Sequence, residues 1–296
     1  MTRLRRETRA ERGSVLLAVV VLLALLIPVV AQVVFRSASE GVRCANLARA
    51  ARHQAAARSA LAEVLCQLRE DPWMLQASAT DRMGATIEFE INGCRAWCLL
   101  EDESAKVNLI EVYRRRGREG LKSAVTALCP PDAVGEVVPD LSLWTTEELA
   151  FDGVGGLECL VAARPSDEGR LYPSPERVES VSRYLTVWGD GSININTVSR
   201  EAVEWLLEGA SAKAKSEWAA VLAGRPYESA LDFVRRSRLS YGAQRAFPVP
   251  ITFEPGLVCV HILTIEGTHR ARTLALLENR KGIYACVLWR EMGFAS

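Results

Sequence analysis

The run Glu101-Asp102-Glu103-Ser104-Ala105-Lys106-Val107-Asn108 gathers three carboxylates, an amine and an amide into one short stretch. Adjacent carboxylates could offer oxygen ligands to a hard cation such as calcium, but the spacing of an EF-hand loop is missing. A short acidic run at a strand end is more often a solvated edge, and that is the reading expected here. A second stretch, Ser192-Ile193-Asn194-Ile195-Asn196-Thr197, carries amides and hydroxyls instead of charges. Asn194 and Asn196 can bond to neighbouring backbone and fix a turn, while Thr197 or Ser199 can cap the helix that follows. A contact to a partner or a metal is the functional alternative for the same side chains.

Other chemistries are excluded by what is missing around their residues. The three histidines, His53, His261 and His269, are scattered and stand near no G-x-S-x-G element. Gly153-Val154-Gly155-Gly156 lacks both the full dinucleotide fingerprint and a preceding strand. No catalytic constellation appears, so a non-enzyme is expected. No motif demands a particular cofactor, and calcium is the one the acidic run could accommodate. With 36 basic and 36 acidic side chains there is no global field to draw in a polyanion. Leu206 to Val234 has the look of a helix-hairpin-helix, yet Gly209-Ala210-Ser211 lacks the G-x-G that presents amides to phosphate, so no nucleic-acid partner is expected. Eight cysteines suit an oxidising compartment, with no C-x-x-C pair for zinc or thioredoxin chemistry. Cys94 and Cys98 on one strand would stand about 13 Å apart, too far to bridge. Cys44 is expected to be unpaired, and the pairing of the others stays open.

The elements that must position these residues begin with an apolar run. Arg3, Arg5, Arg6, Arg9 and Arg12 precede it, offset only by Glu7 and Glu11, which is the pattern of a leader held in the cytoplasm. From Ser14 to Phe35 the only polar residues are Ser14 and Gln32, and about 20 apolar residues suffice to cross a bilayer. Two cleavages compete. A cut after Val29-Val30-Ala31 would release a soluble protein, whereas a cut between Gly13 and Ser14 would leave the span attached. Cys44 to Leu68 continues with strong helix formers and no proline, and Leu47, Ala51, Ala57, Leu61, Leu65 and Leu68 recur near helical spacing. One helix from Ser14 to about Glu70 would be roughly 85 Å long, with Pro28 and Gly41 as places where it could bend.

Ala85 to Ile91 alternates in polarity, Asn92-Gly93 is a strong two-residue hairpin signal, and Cys94 to Leu100 returns as the second strand. A second strand group, Leu257 to Glu266, Arg270 to Glu278 and Ile283 to Glu291, turns around Lys281-Gly282. Between the groups the pattern is helical: a capped start at Thr145-Thr146-Glu147-Glu148-Leu149, then Arg200 to Leu207, Lys213 to Leu222 and Ala230 to Arg236. The expected fold is α+β: a long N-terminal helix packed on an antiparallel sheet, with a large all-helical domain inserted between strands, an arrangement that, after such a basic leader and apolar run, resembles the pilin-like head. The corresponding division is a leader at 1–13, a transmembrane segment at 14–35, helix and first strands of the head at 36–103, the insert at 104–250 and the closing strands at 251–296.

The short basic leader ending in glycine, followed at once by an apolar helix, resembles that of type IV prepilins. Glu101 to Ile110, with Lys106-Val107-Asn108-Leu109, resembles the acidic, small, Lys-x-Asn-Leu motif at the entry to the insert of the minor pseudopilin K family of type II secretion systems. Ser192 to Thr197 resembles that family's I-N-x-N-T element. Trp144 to Leu149 through Gly153-Val154-Gly155 resembles its EL-x-x-x-G segment, and Tyr284 to Glu291 its final strand. These motifs follow the family's order over nearly the whole chain. The resemblance implies cleavage by prepilin peptidase between Gly13 and Ser14, methylation of Ser14, and an inner-membrane anchor with the C-terminal domain in the periplasm. It also implies partnership with minor pseudopilins I and J at the tip of a pseudopilus. Ala18 then occupies the fifth mature position, where most pilins carry a Glu that pairs with the amino terminus of the subunit ahead. An uncharged residue fits a topmost subunit, which has no such neighbour. A soluble periplasmic binding or hydrolytic protein, or a minor pilin of a type IV pilus, are the alternatives.

Overall fold

The computed structural model describes residues 4–71, 74–77, 84–91, 93–129 and 183–295, and it divides into two compact units, residues 1–55 and 56–296. The first unit holds the N-terminal part of helix α1, Leu4–Glu70. This helix starts ahead of the expected Ser14, because the Arg- and Glu-rich leader is itself made of good helix formers. Pro28 lies inside it. Leu17, Leu22, Leu26, Val30 and Phe35 are exposed around its circumference, so no single face is buried. A helix apolar all round belongs in a hydrophobic medium. It is long and apolar enough to cross a membrane.

The second unit is built on a five-stranded sheet in the spatial order Gly84–Ile91, Cys94–Asp102, Leu257–Glu266, His269–Arg280, Ile283–Ala295. β1 (Gly84–Ile91) and β2 (Cys94–Asp102) form a hairpin, with Gly93 at φ 78° in the left-handed region that the tight turn requires. After β2 a single 3-10 turn, Glu103–Ala105, leads into β3 (Val107–Asn108) and helix α3 (Leu109–Leu128); a short helix α2 (Met74–Ala77) precedes the hairpin. Further along come β4 (Leu185–Thr186), β5 (Ile193–Asn194), α4 (Arg200–Leu206), α5 (Ala212–Ala223), α6 (Ala230–Ser237), α7 (Tyr241–Ala246) and β6 (Ile251–Thr252). β7 (Leu257–Glu266), β8 (His269–Arg280) and β9 (Ile283–Ala295) complete the sheet. Lys281 and Gly282, both at positive φ, make the last turn.

β2 pairs antiparallel with β7, Asp102 opposite Val258, so the strand groups on either side of the long intervening segment share one sheet. One face of that sheet is covered by the stretch of α1 inside this unit. Ala57, Ala60, Leu61, Val64 and Leu68 fall at intervals of three and four and pack with Ala96, Cys98, Leu100, Val260, Ile262, Ala275 and Leu277. The intervening segment has its own core, in which Trp218 stacks on Phe247 at 4.3 Å and Tyr227 meets Phe233 edge-on at 5.1 Å.

The α+β pilin-like architecture is the expected one, but the insert is not all-helical. Two parallel ladders lie in it or at its border, Val107–Asn108 with Leu185–Thr186 and Ile193–Asn194 with Ile251–Thr252. Each is only two residues long, too short to leave an alternating pattern in the sequence. The expected helix start at Thr145 and the Trp144 to Gly155 motif lie outside the described residues, as does Cys159. Seven cysteines, Cys44, Cys66, Cys94, Cys98, Cys129, Cys259 and Cys286, are unbridged.

Candidate functional site

The two polar stretches meet in one buried cluster where the sheet passes into the insert. Asp102 closes β2, and its backbone leaves the strand in an extended conformation that caps the 3-10 turn. Its Oδ1 accepts from the Ser104 amide at 2.9 Å. Its Oδ2 accepts from Asn194 Nδ2 at 2.8 Å and from the Thr197 hydroxyl at 2.5 Å. One carboxylate thus joins segments more than ninety positions apart in the chain. Because Asn194 Oδ1 receives the Asn196 amide at 3.1 Å, its Nδ2 is left to face Asp102.

Lys106 sits beside this contact with only 2% of its surface exposed. Its ammonium reaches Glu101 Oε2 and Glu103 Oε1, each at 2.6 Å. The other oxygen of Glu103 accepts from the Thr186 hydroxyl, while Thr186 Oγ1 accepts from the Trp188 amide. His261 Nε2 stands 3.7 Å from Glu101 Oε2 and 3.5 Å from Cys259 Sγ.

A buried ammonium without partners would lose its proton, but here burial is outweighed by Glu103 and Glu101, which hold Lys106 above its usual range. Burial alone would likewise raise Glu101, yet the charge of Lys106, with the hydrogen bonds of His261 and Lys106 and the charge of His261, brings it down to about 2. Asp102 goes the other way. Burial prevails over the Thr197, Asn194 and Ser104 hydrogen bonds, with Glu103 adding like-charge repulsion, and pushes it up to about 6.

Asn108 and Asn196 repeat the same device on either side of the cluster. Asn108 caps α3 by accepting from the Ile110 and Glu111 amides at 2.9 and 3.1 Å, and donates to the Trp188 and Gly189 carbonyls at 2.8 and 3.0 Å. Asn196 donates to the carbonyls of Tyr227 and Phe253 and accepts from the Tyr227 amide at 2.8 Å. Ser199 caps α4 by accepting from Ala202 at 3.1 Å, which leaves Thr197 for Asp102.

Lys106, Asn108, Asn194, Asn196 and Thr197 are therefore all buried, directed inward at this junction. The expectation of a solvated acidic edge is overturned: Asp102 and Glu103 are buried and Glu101 nearly so. Their oxygens are engaged by Lys106, Asn194, Thr197, Thr186 and Ser104, and among the described residues no group of three or more ligating side chains is arranged to hold a metal. The sequence contains one usable signal for this. Glu101 and Glu103 precede Lys106 by five and three positions, within reach of its ammonium once a tight turn closes. Their meeting with Asn194 and Thr197 leaves no local trace. Gly13, Ser14 and Ala18 lie on α1 in the first unit, whereas the cluster is built from residues of the second.

The chemistry of the cluster is structural: committed hydrogen bonds, a buried cation between two anions, and a carboxylate that takes three donors and ties two distant segments together. No protein-family model matches the sequence, and no curated protein matches it. A solved structure does resemble it in fold. A chain in the crystal structure of the GspK–GspI–GspJ complex from the type 2 secretion system of enterotoxigenic Escherichia coli aligns with a TM-score of 0.52 at 12% identity, over 85% of this chain and 99% of that one. At this identity the likeness shows a shared fold.

Proposed function

We propose that this chain is a minor pseudopilin of type K, a non-enzymatic tip component of a type II secretion system. The observation that carries the reading is the fold likeness, which takes in nearly the full length of a chain from the GspK–GspI–GspJ complex of a type 2 secretion system. The order of the Lys106-Val107-Asn108 and Ile193-Asn194-Ile195-Asn196-Thr197 motifs supports it, because in this fold both serve one junction between sheet and insert. The apolar helix supports an inner-membrane anchor, with residues 36–296 on the periplasmic side.

In this role the chain is cut by prepilin peptidase between Gly13 and Ser14 and joins minor pseudopilins I and J. Ala18 places an apolar residue in the bilayer at the fifth mature position, where a carboxylate without a partner would be costly. The subunit with nothing ahead of it is the one that tolerates this, so the chain sits first and starts the pseudopilus. The insert then obstructs stacking of a further subunit above it and acts as the cap. Protein leaves through the outer membrane once the filament below has formed.

The test is assembly with the I and J subunits of the same system. Co-expressed heads should elute as one complex larger than any pair, and removal of this chain from its cell should stop secretion while leaving the other pseudopilins in the membrane. Failure to bind either subunit, with secretion unchanged, would overturn the proposal.

A further inference from the structure

We propose that Asp102 is a proton-sensitive latch between the end of β2 and the Asn194–Thr197 turn, held closed more firmly by a neutral carboxyl than by a carboxylate. The inference stands on the junction itself, whatever the chain assembles with.

Asp102 is 1% exposed, and its three donors, the Ser104 amide, the Asn194 amide and the Thr197 hydroxyl, are all neutral. The buried cation of the cluster, Lys106, spends its ammonium on Glu101 and Glu103. Of the titratable groups packed around Asp102, Glu103 repels it from the adjoining turn, and Tyr284 on β9, pushed up to about 12 by burial and by the Asp102 charge, is a neutral phenol that offers the anion no charge. A buried carboxylate without a cation favours its proton. Burial accordingly carries the group up to about 6, in spite of the hydrogen bonds.

The geometry also gives the proton somewhere to go. Oδ2 takes both Asn194 and Thr197, and of these the Thr197 hydroxyl can exchange donation for acceptance. A proton on Oδ2 would be donated to Thr197 Oγ1 while Asn194 and Ser104 keep their places. When the turn opens, Asp102 meets water and returns to the ordinary aspartate range, so the closed state binds the proton more tightly than the open one. By linkage, acidification from above 6 towards 4 favours closure, by up to about 100-fold.

The experiment is hydrogen exchange on the full chain in detergent micelles, corrected for the intrinsic pH dependence of exchange. It is read at the amides of residues 194–198 and 102–106 at pH 5 and pH 8. Opening should be at least about tenfold more frequent at pH 8 in the parent and in Thr197→Ser, which keeps the hydroxyl. It should lose its pH dependence in Asp102→Asn. Opening that is independent of pH in the parent, that rises on acidification, or that keeps its pH dependence in Asp102→Asn would overturn the latch. Should Asp102→Asn not fold, infrared titration of the parent decides instead. A protonated-carboxyl band that vanishes between pH 5 and 7, with a midpoint moved by Thr197→Val but not by Thr197→Ser, supports it. Absence of that band, or a midpoint unmoved by Thr197→Val, rejects it.

Discussion

Lys106 is held by two carboxylates in a site with almost no access to water, so its value to the fold is set by what remains when it is removed. Lys106→Met keeps the length of the side chain but strands two buried anions, and loss of one member of such a pair costs about 3–5 kcal/mol. Urea unfolding of the head should show this loss, and adding Glu101→Gln and Glu103→Gln should restore much of it. Glu101 supplies a pH-dependent share. Its folded-state value of about 2 lies below the ordinary 4.5, so its contribution is full above about 4.5 and is lost as the pH falls towards 2. Unfolding measured from pH 5 down to pH 2.5 should therefore steepen in the parent and flatten in Glu101→Gln. Asp102, shifted in the opposite sense, contributes most below its ordinary 3.8 and loses that contribution as the pH rises through about 6. The identity of these residues was plain from the sequence, but their burial was not. An acidic triplet looks like a solvated edge until Asn194, Thr197 and Thr186, all distant in the chain, are brought to meet it.

At the scale of elements, the insert leaves and re-enters the sheet at nearly one point. Asp102 pairs with Val258, and Ser104 Oγ accepts from the Gly256 amide at 3.1 Å. Among the described residues, the buried core of the sheet and α1 takes no side chain from the segment between these ends. Replacing residues 104–255 by a short Gly-Ser linker should then leave the five strands paired, because loop-closure cost changes only slowly with length. Strand circular dichroism and slow exchange in β7 and β8 check this. If the insert is the cap, the same variant should fold and yet fail to support secretion. The β1–β2 hairpin was legible because period-two alternation on either side of Asn92-Gly93 is a local signal. The two-residue ladders were not, since a pair such as Ile193–Asn194 becomes a strand only through its partner Ile251–Thr252.

The whole molecule joins a membrane-compatible helix to a folded head, and the proposed role depends on the two staying covalently linked. Mass spectrometry of the mature chain from cells with prepilin peptidase should find Ser14, methylated, as the first residue. An N-terminus at Gln32 would instead mark a released protein. Ala18→Glu should impair secretion by leaving a carboxylate without a partner in the bilayer, at a cost of roughly 2.5 kcal/mol or more. Secretion assays of cells carrying this variant check it, with membrane levels of the chain measured alongside.

The apolar run, the helical spacing of Ala57 to Leu68 and the alternation of the strands are properties of neighbouring residues, and from them the sequence by itself determined the α+β class and the long first helix. What tertiary structure alone decided is the junction. Which strand lies beside β2, which distant residues reach Asp102, and whether Glu101 to Glu103 are closed off from water depend on contacts across scores of residues, and no local pattern encodes them. Burial then changes the chemistry of the same side chains: in a site closed to water an acidic run becomes a set of paired charges, with one carboxyl that favours its proton.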